Sequence, residues 1–408
     1  MELTSLILES YSELTTWQKI WFLSPSFYLF LSLFLSIGVS RIPTTTKKLS
    51  SQVSNNSRHT NEQDAIQSSS FTTKVSIVVS ARNEEQDLPA CIDALLDLKY
   101  PKELLQIILV NDRSTDATAH IVNEAAKLHN HINAYHSVDF AENGLEAKAR
   151  GLSIGMQHAT GEWIFITDAD GRVQPEWITH MLSGDLSKVG MIGGVLAIRA
   201  KGLLGRIERA VWAYVQLFNV GMSGWGLPFI SVGPNMAIRR SIYLDAGGLE
   251  AADFTVAEDL ALFSMVEKST YSVVTQKSPQ TTVLLEPVPS YAHLFSQQRR
   301  WFRGGIDHDA RYILGLYGIF WYGFLFVVLL WFGWIVSPLL FGFVWVCKFL
   351  VEAIHYLIFR TQIYKKPLVR YLPLMQVYHL FILTALPLSF LFERKISWRG
   401  DGYSIEYD

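Results

Sequence analysis

The sequence predicts an α/β fold with a mostly parallel sheet, carried between N-terminal and C-terminal transmembrane helices. From Lys74 onward, short apolar runs alternate with helix-like stretches, and long uncharged apolar runs lie on both sides of that region. The 408 residues are 50% hydrophobic and only 18% charged, which is too apolar for an average soluble chain. A membrane-attached α/β domain explains both observations.

Three apolar runs predict the membrane crossings. No Asp, Glu, Lys, Arg or His occurs from Ile20 through Ser40 or from Tyr312 through Cys347, and a third run covers Tyr371 to Phe392. About 20 apolar residues span a bilayer, so the first run fits one crossing and the second, broken by Ser337-Pro338, fits a hairpin. A cleaved signal peptide is the alternative for the first run, but the run is long and follows acidic residues. We interpret it as an uncleaved anchor.

Basic residues beside the first run predict its orientation. Arg41, Lys47 and Lys48 follow the run and only Lys19 precedes it, so the next domain is expected in the cytoplasm. The chain is therefore predicted to be an integral, multi-pass protein of the cell inner membrane. A net charge of -2 argues against a nucleic-acid partner, and two cysteines suggest neither a disulfide framework nor a cysteine metal site.

Short apolar runs mark the predicted strands of the cytoplasmic domain. In chain order they are KVSIVVS, LLQIILV, INAYHS, GEWIFIT and VGMIGGVLAI. Helices are predicted from about Glu85, after Ser114 as N-cap, and from Leu145 to Ala159. The predicted organisation is an anchor over 1–43, a flexible polar linker over 44–73, the cytoplasmic domain over 74–290, an interfacial amphipathic helix over 291–311, a transmembrane region over 312–392 and a tail over 393–408.

Polar clusters follow three of the predicted strands. Ser80 to Glu85 follows the first strand, Asn111 to Asp116 the second, and Asp168-Ala169-Asp170 the fourth. Each alone fits a polar turn, but three clusters at the carboxyl edge of one parallel sheet indicate a binding site. Paired carboxylates suit a divalent cation such as Mg²⁺ or Mn²⁺. The glycine-rich signatures of dinucleotide dehydrogenases and P-loop NTPases are absent from the sequence, so neither class is supported.

Six motifs in order carry a family resemblance. They are VSIVVSARNEE, ILVNDRSTD, EAKARGLSIG, TDADG, AEDLAL and QQRRW, between Lys74 and Gly305. The set resembles the membrane-bound family-two glycosyltransferases, whose GT-A (Rossmann-like) fold binds a nucleotide-sugar. It looks nearest to ceramide glucosyltransferases and their bacterial relatives, whose tail the terminal ISWRGDGY also resembles.

The resemblance implies a UDP-sugar donor and assigns its site. Asp112 would contact the uracil or ribose, and Ala81, Asn83 and Glu85 would line the base. Many relatives carry an acidic residue at the position of Asn111, which leaves the nucleotide open.

Further along the chain, the resemblance implies a metal and diphosphate site. Lys148 would lie near the nucleotide, although a solvated helix lysine is the alternative. Asp168 would touch the ribose and the metal, and Asp170 would ligate the cation that bridges the two phosphates.

The resemblance also implies the catalytic groups. Asp259 would be the base that takes the acceptor's proton, with Glu258 beside it, and Arg300 would stabilise the leaving diphosphate. For the acidic pair, the alternative is a favourable interaction with a helix dipole. For the segment Tyr291 to Arg311, the alternative role is that of an amphipathic helix in the membrane interface.

Acceptor residues and a gating tail complete the implied site. Gln297 and Trp301 would lie under the acceptor, and Gly233 and Asn235 would shape its side, although Gly233-Pro234 is also ordinary turn chemistry. In related synthases a Trp- and Arg-containing loop closes over the nucleotide. We therefore expect the tail to be cytoplasmic and Trp398 and Arg399 to support turnover. The count of basic residues beside the third apolar run weakly favours a tail outside the cell instead.

The predicted function is inverting, metal-dependent transfer of a hexose from a UDP-sugar to the hydroxyl of a membrane lipid at the cytoplasmic face. A processive polysaccharide synthase is the alternative within the class, although the few C-terminal spans leave little wall for a polymer channel. A transporter or lipid-binding scaffold with a degenerate domain is the alternative from another class. Lys348, Glu352 and His355 at membrane depth are the evidence for it.

Overall fold

The structure is a computed structural model. It describes residues 12, 30, 33–42, 72–145, 147–228, 233–252, 258–307, 338–339, 342–343, 345–347, 349–350, 353–354, 357, 369–392, 396–398 and 401–403. The chain divides into two compact units, which we call the sheet unit and the helical unit. The sheet unit comprises Ser40–Lys201 and Met222–Pro287, and the helical unit comprises Met1–Val39, Gly202–Gly221 and Val288–Asp408.

A seven-stranded sheet in the order β3-β2-β1-β4-β7-β5-β8 forms the core of the sheet unit. β1 lies parallel to β2 and β4, β2 lies parallel to β3, and β5 lies parallel to β8. β7 runs antiparallel to both β4 and β5. This confirms the predicted α/β fold with a mostly parallel sheet. The strands are Val75–Ala81 (β1), Leu105–Asn111 (β2), Ile132–His136 (β3), Trp163–Ile166 (β4), Val189–Gly193 (β5), Val195–Ile198 (β6), Met236–Arg239 (β7), Ser272–Thr275 (β8) and Thr282–Leu285 (β9).

The helices of the sheet unit cover the central strands. Gly155 lets one of them, α3, approach β1 closely, because a Cβ at that position would lie 2.4 Å from Val78 Cγ1. Covered on both faces, the central strands are almost continuously apolar.

In chain order the helices of both units are Leu88–Leu96 (α1), Thr118–Leu128 (α2), Ala147–Gln157 (α3), Trp177–Met181 (α4), Gly202–Gly224 (α5), Arg240–Asp245 (α6), Glu258–Glu267 (α7), Tyr291–Asp307 (α8) and Leu372–Phe392 (α9).

Two details of the sequence prediction are wrong. VGMIGGVLAI is not one strand, because the chain leaves the main sheet after Gly193 and β6 pairs with β9 in a separate two-stranded sheet. A Cβ at Gly194 would lie 2.4 Å from Asn235 Nδ2, so the crossing needs a glycine. Ser114 is not an N-cap. The helix begins at Thr118, and the Ser114 hydroxyl instead accepts a hydrogen bond from the backbone nitrogen of Asn83.

In the helical unit, α5 contacts the turn before α9 and an N-terminal helical stretch over residues 33–39. The Arg206 guanidinium of α5 lies 6.0 Å from the centre of the Tyr371 ring, just before α9. A Cβ at Gly221 would lie 2.8 Å from the carbonyl oxygen of Leu35. Within the described ranges, no helix has both the length and the hydropathy needed to cross a bilayer. The predicted spans therefore stay predictions, and Lys348, Glu352 and His355 lie outside the described residues.

A buried carboxyl group in the helical unit gives a pH-dependent prediction. Glu208 on α5 is 2% exposed and accepts a hydrogen bond of 3.0 Å from the backbone nitrogen of Val288. Burial raises the pKa of Glu208 from 4.5 to about 7. Because the folded-state pKa lies above the unfolded one, the contribution of Glu208 to stability is fully present below pH 4.5 and is lost as the pH rises through about 7.

Glu208→Gln is therefore expected to stabilise the protein at pH 8, by about 3 kcal/mol. The amide keeps the acceptor for Val288 without the charge. Thermal melts of both proteins at pH 4.5 and pH 8 test this, and the two melting temperatures should converge at the lower pH. A less stable variant at pH 8 would contradict the assignment.

Candidate active site

The three predicted polar clusters meet at one edge of the sheet. β2, β1 and β4 are adjacent and parallel, so their carboxyl ends lie side by side. The segments that follow them carry most of the candidate donor and metal residues. The topology thus confirms that these segments share the edge where ligands bind in α/β folds.

Hydrogen bonds join the loops after β1 and β2. The Asn83 backbone nitrogen donates to Ser114 Oγ at 3.0 Å, and the Thr115 nitrogen donates to Asn83 Oδ1 at 2.8 Å. The Ala117 nitrogen donates to Glu85 Oε2 at 2.9 Å. Asn83 and Glu85, both predicted near the nucleobase, therefore hold the two loops together.

Backbone strain accompanies this arrangement. Asn83 and Arg113 have φ of 53° and 54°, in the left-handed region that residues other than glycine seldom adopt. Strained backbone of this kind clusters at functional sites. Next to Arg113, Asp112 is fully buried and accepts hydrogen bonds from Ser137 Oγ at 2.7 Å and from Arg113 Nε at 3.0 Å. The Ala81 carbonyl accepts the Asp112 backbone N–H at 2.8 Å.

Asn111, the last residue of β2, is hydrogen-bonded to His136, the last residue of β3. Its Nδ2 lies 3.1 Å from His136 Nδ1, and His136 Nε2 lies 3.0 Å from Asn123 Oδ1. An amide nitrogen can only donate, so His136 accepts at Nδ1 and donates from Nε2. The Asn111 side chain is therefore oriented by a chain of polar groups that sequence reasoning did not find.

Asp168 and Asp170 lie in a tight turn after β4. All four residues of β4 are buried, and the Gly171 nitrogen donates to the Asp168 carbonyl at 2.9 Å. The buried thiol of Cys91 donates to the same carbonyl at 3.5 Å. Burial raises the pKa of Cys91, and the negative charges of Asp170 and Asp168 raise it further. Cys91 is thus a neutral thiol that contacts the turn, and no sequence pattern singled it out.

Lys148 joins the carboxylate turn to Glu258, the neighbour of the candidate base. Its ammonium nitrogen lies 2.5 Å from Asp168 Oδ1 and 2.8 Å from Glu258 Oε1. Burial favours the neutral amine, but the charges of Asp168 and Glu258 outweigh it and raise the pKa of Lys148, so the side chain stays charged. The alternative of a solvated helix lysine is therefore wrong.

The candidate base lies in the first turn of α7. Asp259 accepts hydrogen bonds from the Gly233 nitrogen at 3.1 Å and from the Leu260 nitrogen at 3.0 Å. Burial and then the charge of Glu258 raise the pKa of Asp259 to about 7, while Lys148 and the backbone donors oppose the rise. Glu258, by contrast, is ion-paired with Lys148. Of the two carboxyl groups, Asp259 has the properties of a general base.

The predicted acceptor residues Gly233 and Asn235 have structural contacts. A Cβ at Gly233 would lie 3.3 Å from Asp259 Oδ2, so the glycine lets its own backbone reach Asp259. Asn235 is buried, accepts from Trp177 Nε1 at 2.9 Å, and donates to the carbonyls of Val195 and Thr281. These bonds join β6, β7 and the segment before β9. Contact of either residue with an acceptor stays a prediction.

The remaining candidate residues belong to the helical unit. Gln297, Arg300 and Trp301 lie on α8, which begins at Tyr291 as predicted, while its place in the membrane interface stays a prediction. The Trp301 side chain lies outside what the structure describes. Trp398 ends the short strand β10 (Ile396–Trp398), which pairs antiparallel with β11 (Asp401–Tyr403), while Arg399 lies outside the described residues. The roles predicted for these five residues remain predictions.

The carboxylate turn fits a divalent cation. Asp168 and Asp170 offer hard oxygen atoms, and Lys148 shows that Asp168 already binds a positive charge. No group of three or more His, Cys, Asp or Glu side chains able to hold a metal occurs in the described part of the chain. Proteins nevertheless commonly bind Mg²⁺ through only two carboxylates, because water and substrate phosphates supply the other ligands.

The mostly parallel sheet, with a carboxylate turn and a buried acid at its carboxyl edge, is consistent with a GT-A-like fold. A solved structure supports this fold: the mannosyltransferase PcManGT from Pyrobaculum calidifontis, in complex with GDP-Man and Mn²⁺, is similar with a TM-score of 0.51 and 18% identity, covering 79% of this chain and 88% of that chain. At that identity, the likeness concerns the fold.

The chain belongs to glycosyl transferase family 21, whose family model matches residues 30–408. This confirms the resemblance inferred from the six motifs.

Curated proteins give further similarities. The probable glycosyltransferase YdaM of Bacillus subtilis is 30% identical over 236 residues, covering 57% of this chain and 55% of that protein. A beta-monoglucosyldiacylglycerol synthase of Nostoc is 25% identical over 248 residues, covering 58% and 50%. A poly-beta-1,6-N-acetyl-D-glucosamine synthase of Staphylococcus epidermidis is 26% identical over 235 residues, covering 57% and 54%. The chain thus spans about half the length of these relatives.

Proposed function

We propose that this glycosyltransferase is an inverting, metal-dependent enzyme that moves a hexose from a UDP-sugar to the hydroxyl group of a membrane lipid. The observation that carries the proposal is the ion-paired group at the carboxyl edge of the sheet. Lys148 links Asp168 to Glu258, and Asp259 follows Glu258 in the first turn of α7. Donor-side and base-side groups are therefore held in one rigid cluster.

In this mechanism Asp259 takes the proton of the acceptor hydroxyl as that oxygen attacks the anomeric carbon. The raised pKa of Asp259 suits this role. A base whose pKa lies near the working pH is largely ionised and still binds a proton well. The Lys148 ammonium is ion-paired with both Asp168 and Glu258. The pair with Glu258 holds this positive charge near Asp259, the next residue in the chain. Attack on the face opposite the leaving diphosphate gives inversion, which follows from using one base and no covalent intermediate.

A divalent cation held by Asp170, with Asp168 beside it, would neutralise the charge that develops on the leaving diphosphate. The carboxylate oxygens at the turn support this assignment, and the similar mannosyltransferase structure contains Mn²⁺. Arg300 is proposed to stabilise the same diphosphate. Gln297, Trp301, Trp398 and Arg399 are proposed to line or close the site.

The proposed acceptor and location rest on the apolar surface of the helical unit. Phe30, Leu33 and Ile37 are exposed near the N-terminus, and α9 exposes Val377 and Phe381. Large exposed apolar surfaces mark contact with lipid or with another protein. One relative is named for making a glucosyldiacylglycerol, which favours lipid here. We therefore propose an integral inner-membrane enzyme whose sheet unit faces the cytoplasm.

Product analysis tests the proposal. Purified protein is incubated with a panel of UDP- and GDP-sugars and with membrane lipid extract, and the extract is then analysed by mass spectrometry. A lipid that gains one hexose or a fixed small number, whatever the donor excess, is the expected result. A ladder of lengthening sugar chains would favour a processive synthase, the activity named for the Staphylococcus epidermidis relative. If none of the donors is turned over, the proposed sugar-transfer activity is rejected.

The pKa of Asp259 predicts the acid limb of the pH profile. The base acts when ionised, so a pKa of about 7 makes kcat/KM fall as the pH drops through about 7. An ordinary Asp would give a fall near pH 4. Initial rates between pH 4 and pH 9 check this expectation, and full activity at pH 5 would contradict it.

A further inference from the structure

An ion-paired cluster of three side chains follows the carboxylate turn, within the sheet unit. The Arg172 guanidinium lies 2.8 Å from Glu286 Oε1, and the Arg199 guanidinium is paired with the same oxygen. The Glu286 side chain is 13% exposed, so its carboxylate is largely withdrawn from water. Arg172 is the second residue after Asp170, the proposed metal ligand. None of the three clustered side chains takes part in the proposed sugar transfer.

The backbone fixes Arg172 close to the turn. The Arg172 nitrogen donates to the Leu284 carbonyl at 2.8 Å, and the Leu284 nitrogen donates to the Arg172 carbonyl at 3.0 Å, which bridges the residue to β9. Burial, followed by the charges of Asp170 and Asp168, raises the pKa of Cys91. The charge of Arg172 opposes that rise, so it acts at the same place as the two carboxylates.

A guanidinium at this position can compete with a cation for the turn. Arginine forms charge-assisted, bidentate pairs with carboxylates, and such a pair would occupy the oxygen atoms that a divalent ion needs. In the structure the Arg172 guanidinium is paired with Glu286 instead. Glu286 is itself anchored, because Arg199 follows the last residue of β6 and its nitrogen donates to the Leu285 carbonyl at 2.9 Å.

We propose that Glu286 is a positioning residue that keeps the Arg172 guanidinium away from Asp168 and Asp170, which leaves the carboxylate turn able to bind a divalent cation. This inference rests on the proposed function, which places the cation at that turn. Glu286 acts through Arg172 and is not a ligand of the cation. When the Glu286 charge is removed, Arg172 pairs with the turn and the cation has to displace it.

Two single variants break the same ion pair and are expected to differ in cation affinity. Glu286→Gln releases Arg172 to the turn, so its Kd for Mn²⁺ should rise on the order of 10-fold, as expected for an opposite charge that moves next to a carboxylate. Arg172→Gln removes the competitor and should bind Mn²⁺ with wild-type affinity. The double variant Glu286→Gln/Arg172→Gln should return to the wild-type value. A merely structural role of the ion pair predicts an equal loss in both single variants.

Titration of the purified full-length proteins with Mn²⁺ alone, followed by the EPR signal of the free ion, measures these affinities without any turnover. Glu176→Gln is the matched control. It removes one carboxylate charge four residues after Arg172, and the Lys99 ammonium that it releases, 2.6 Å away in the wild type, is 69% exposed and becomes solvated. This control should keep the wild-type Kd. Thermal melts of the metal-free proteins show that each variant is folded at the titration temperature.

Four outcomes would overturn the proposal: wild-type affinity in Glu286→Gln, weaker binding in Arg172→Gln, no recovery in the double variant, or no Mn²⁺ binding by the wild type. A gain in Arg172→Gln as large as the loss in Glu286→Gln would indicate a general field of charges and would overturn it too. If Glu286→Gln does not fold, Arg172→Gln still decides between the two roles. Sugar transfer by the wild type is scored separately, and its absence rejects the proposed function while the titration still decides the role of Glu286.

Discussion

Asp259→Asn is expected to lower sugar transfer by roughly 10²–10⁴-fold while the protein still binds its donor. The amide keeps the shape of the carboxylate but cannot take a proton from the acceptor. Both oxygens of Asp259 accept backbone N–H groups, from Gly233 and Leu260, so the variant loses one of these bonds and is expected to melt slightly lower. Rates at saturating donor, with the donor Kd from calorimetry, separate loss of chemistry from loss of binding.

Glu267→Gln is the control for this variant, because Glu267 ends the same helix and is exposed. It should leave both the rate and the donor affinity at wild-type values. Transfer by Asp259→Asn at nearly the wild-type rate would mean that the base lies elsewhere, and Glu258→Gln would be the next variant to test. The ion pair of Glu258 with Lys148 at 2.8 Å is the reason for placing Asp259 first.

Asp170→Ala is expected to reduce transfer on the order of 10³-fold, the size of effect seen when a main electrostatic stabiliser of the transition state is removed. The fold should survive, because the turn is closed by backbone, from the Gly171 nitrogen to the Asp168 carbonyl. Rates measured against Mn²⁺ and Mg²⁺ concentration should show activation in the wild type and little response in the variant.

The exposed carboxylate of Asp245, at the end of α6, provides the control for this variant. Asp245→Ala should keep the wild-type response to metal. Chelation supplies an independent test, since excess EDTA should stop the wild-type reaction and added Mn²⁺ should restore it. Full turnover in EDTA, or by Asp170→Ala, would remove the metal from the mechanism.

The sequence predicted the part of the sheet in which apolar strands end at polar clusters. β1, β2 and β4 are buried runs followed at once by polar residues, so both their type and their shared edge could be inferred. β7, β8 and β9 were missed because four residues are too few for a periodic signal, whereas β4, equally short, was recognised from the paired carboxylates that follow it. The double glycine at Gly193-Gly194 was the available sign that VGMIGGVLAI breaks in two.

Within the candidate site, the sequence identified residues but not their partners. Lys148 and Asp259 came from a family resemblance, whereas the ion pair of Lys148 with Glu258 joins positions on α3 and α7 that are far apart in the chain. No local pattern specifies such a contact, because it depends on how the two helices pack on the sheet. The same holds for Cys91, which became relevant only when α1 was seen to place its thiol under the Asp168 carbonyl.

The hydrogen bonds between the loops after β1 and β2 have a consequence for the thermodynamics of donor binding. Flexible loops that order around a ligand lose conformational entropy, and this loss is subtracted from the affinity. Here Asn83 and Glu85 already join the two loops before any donor arrives, and the Glu84 nitrogen donates to Thr118 Oγ1 at 2.8 Å. The edge proposed to bind the nucleotide is therefore preorganised. Donor affinity then depends on side chains such as Thr118, which contribute by keeping the binding surface in a single conformation.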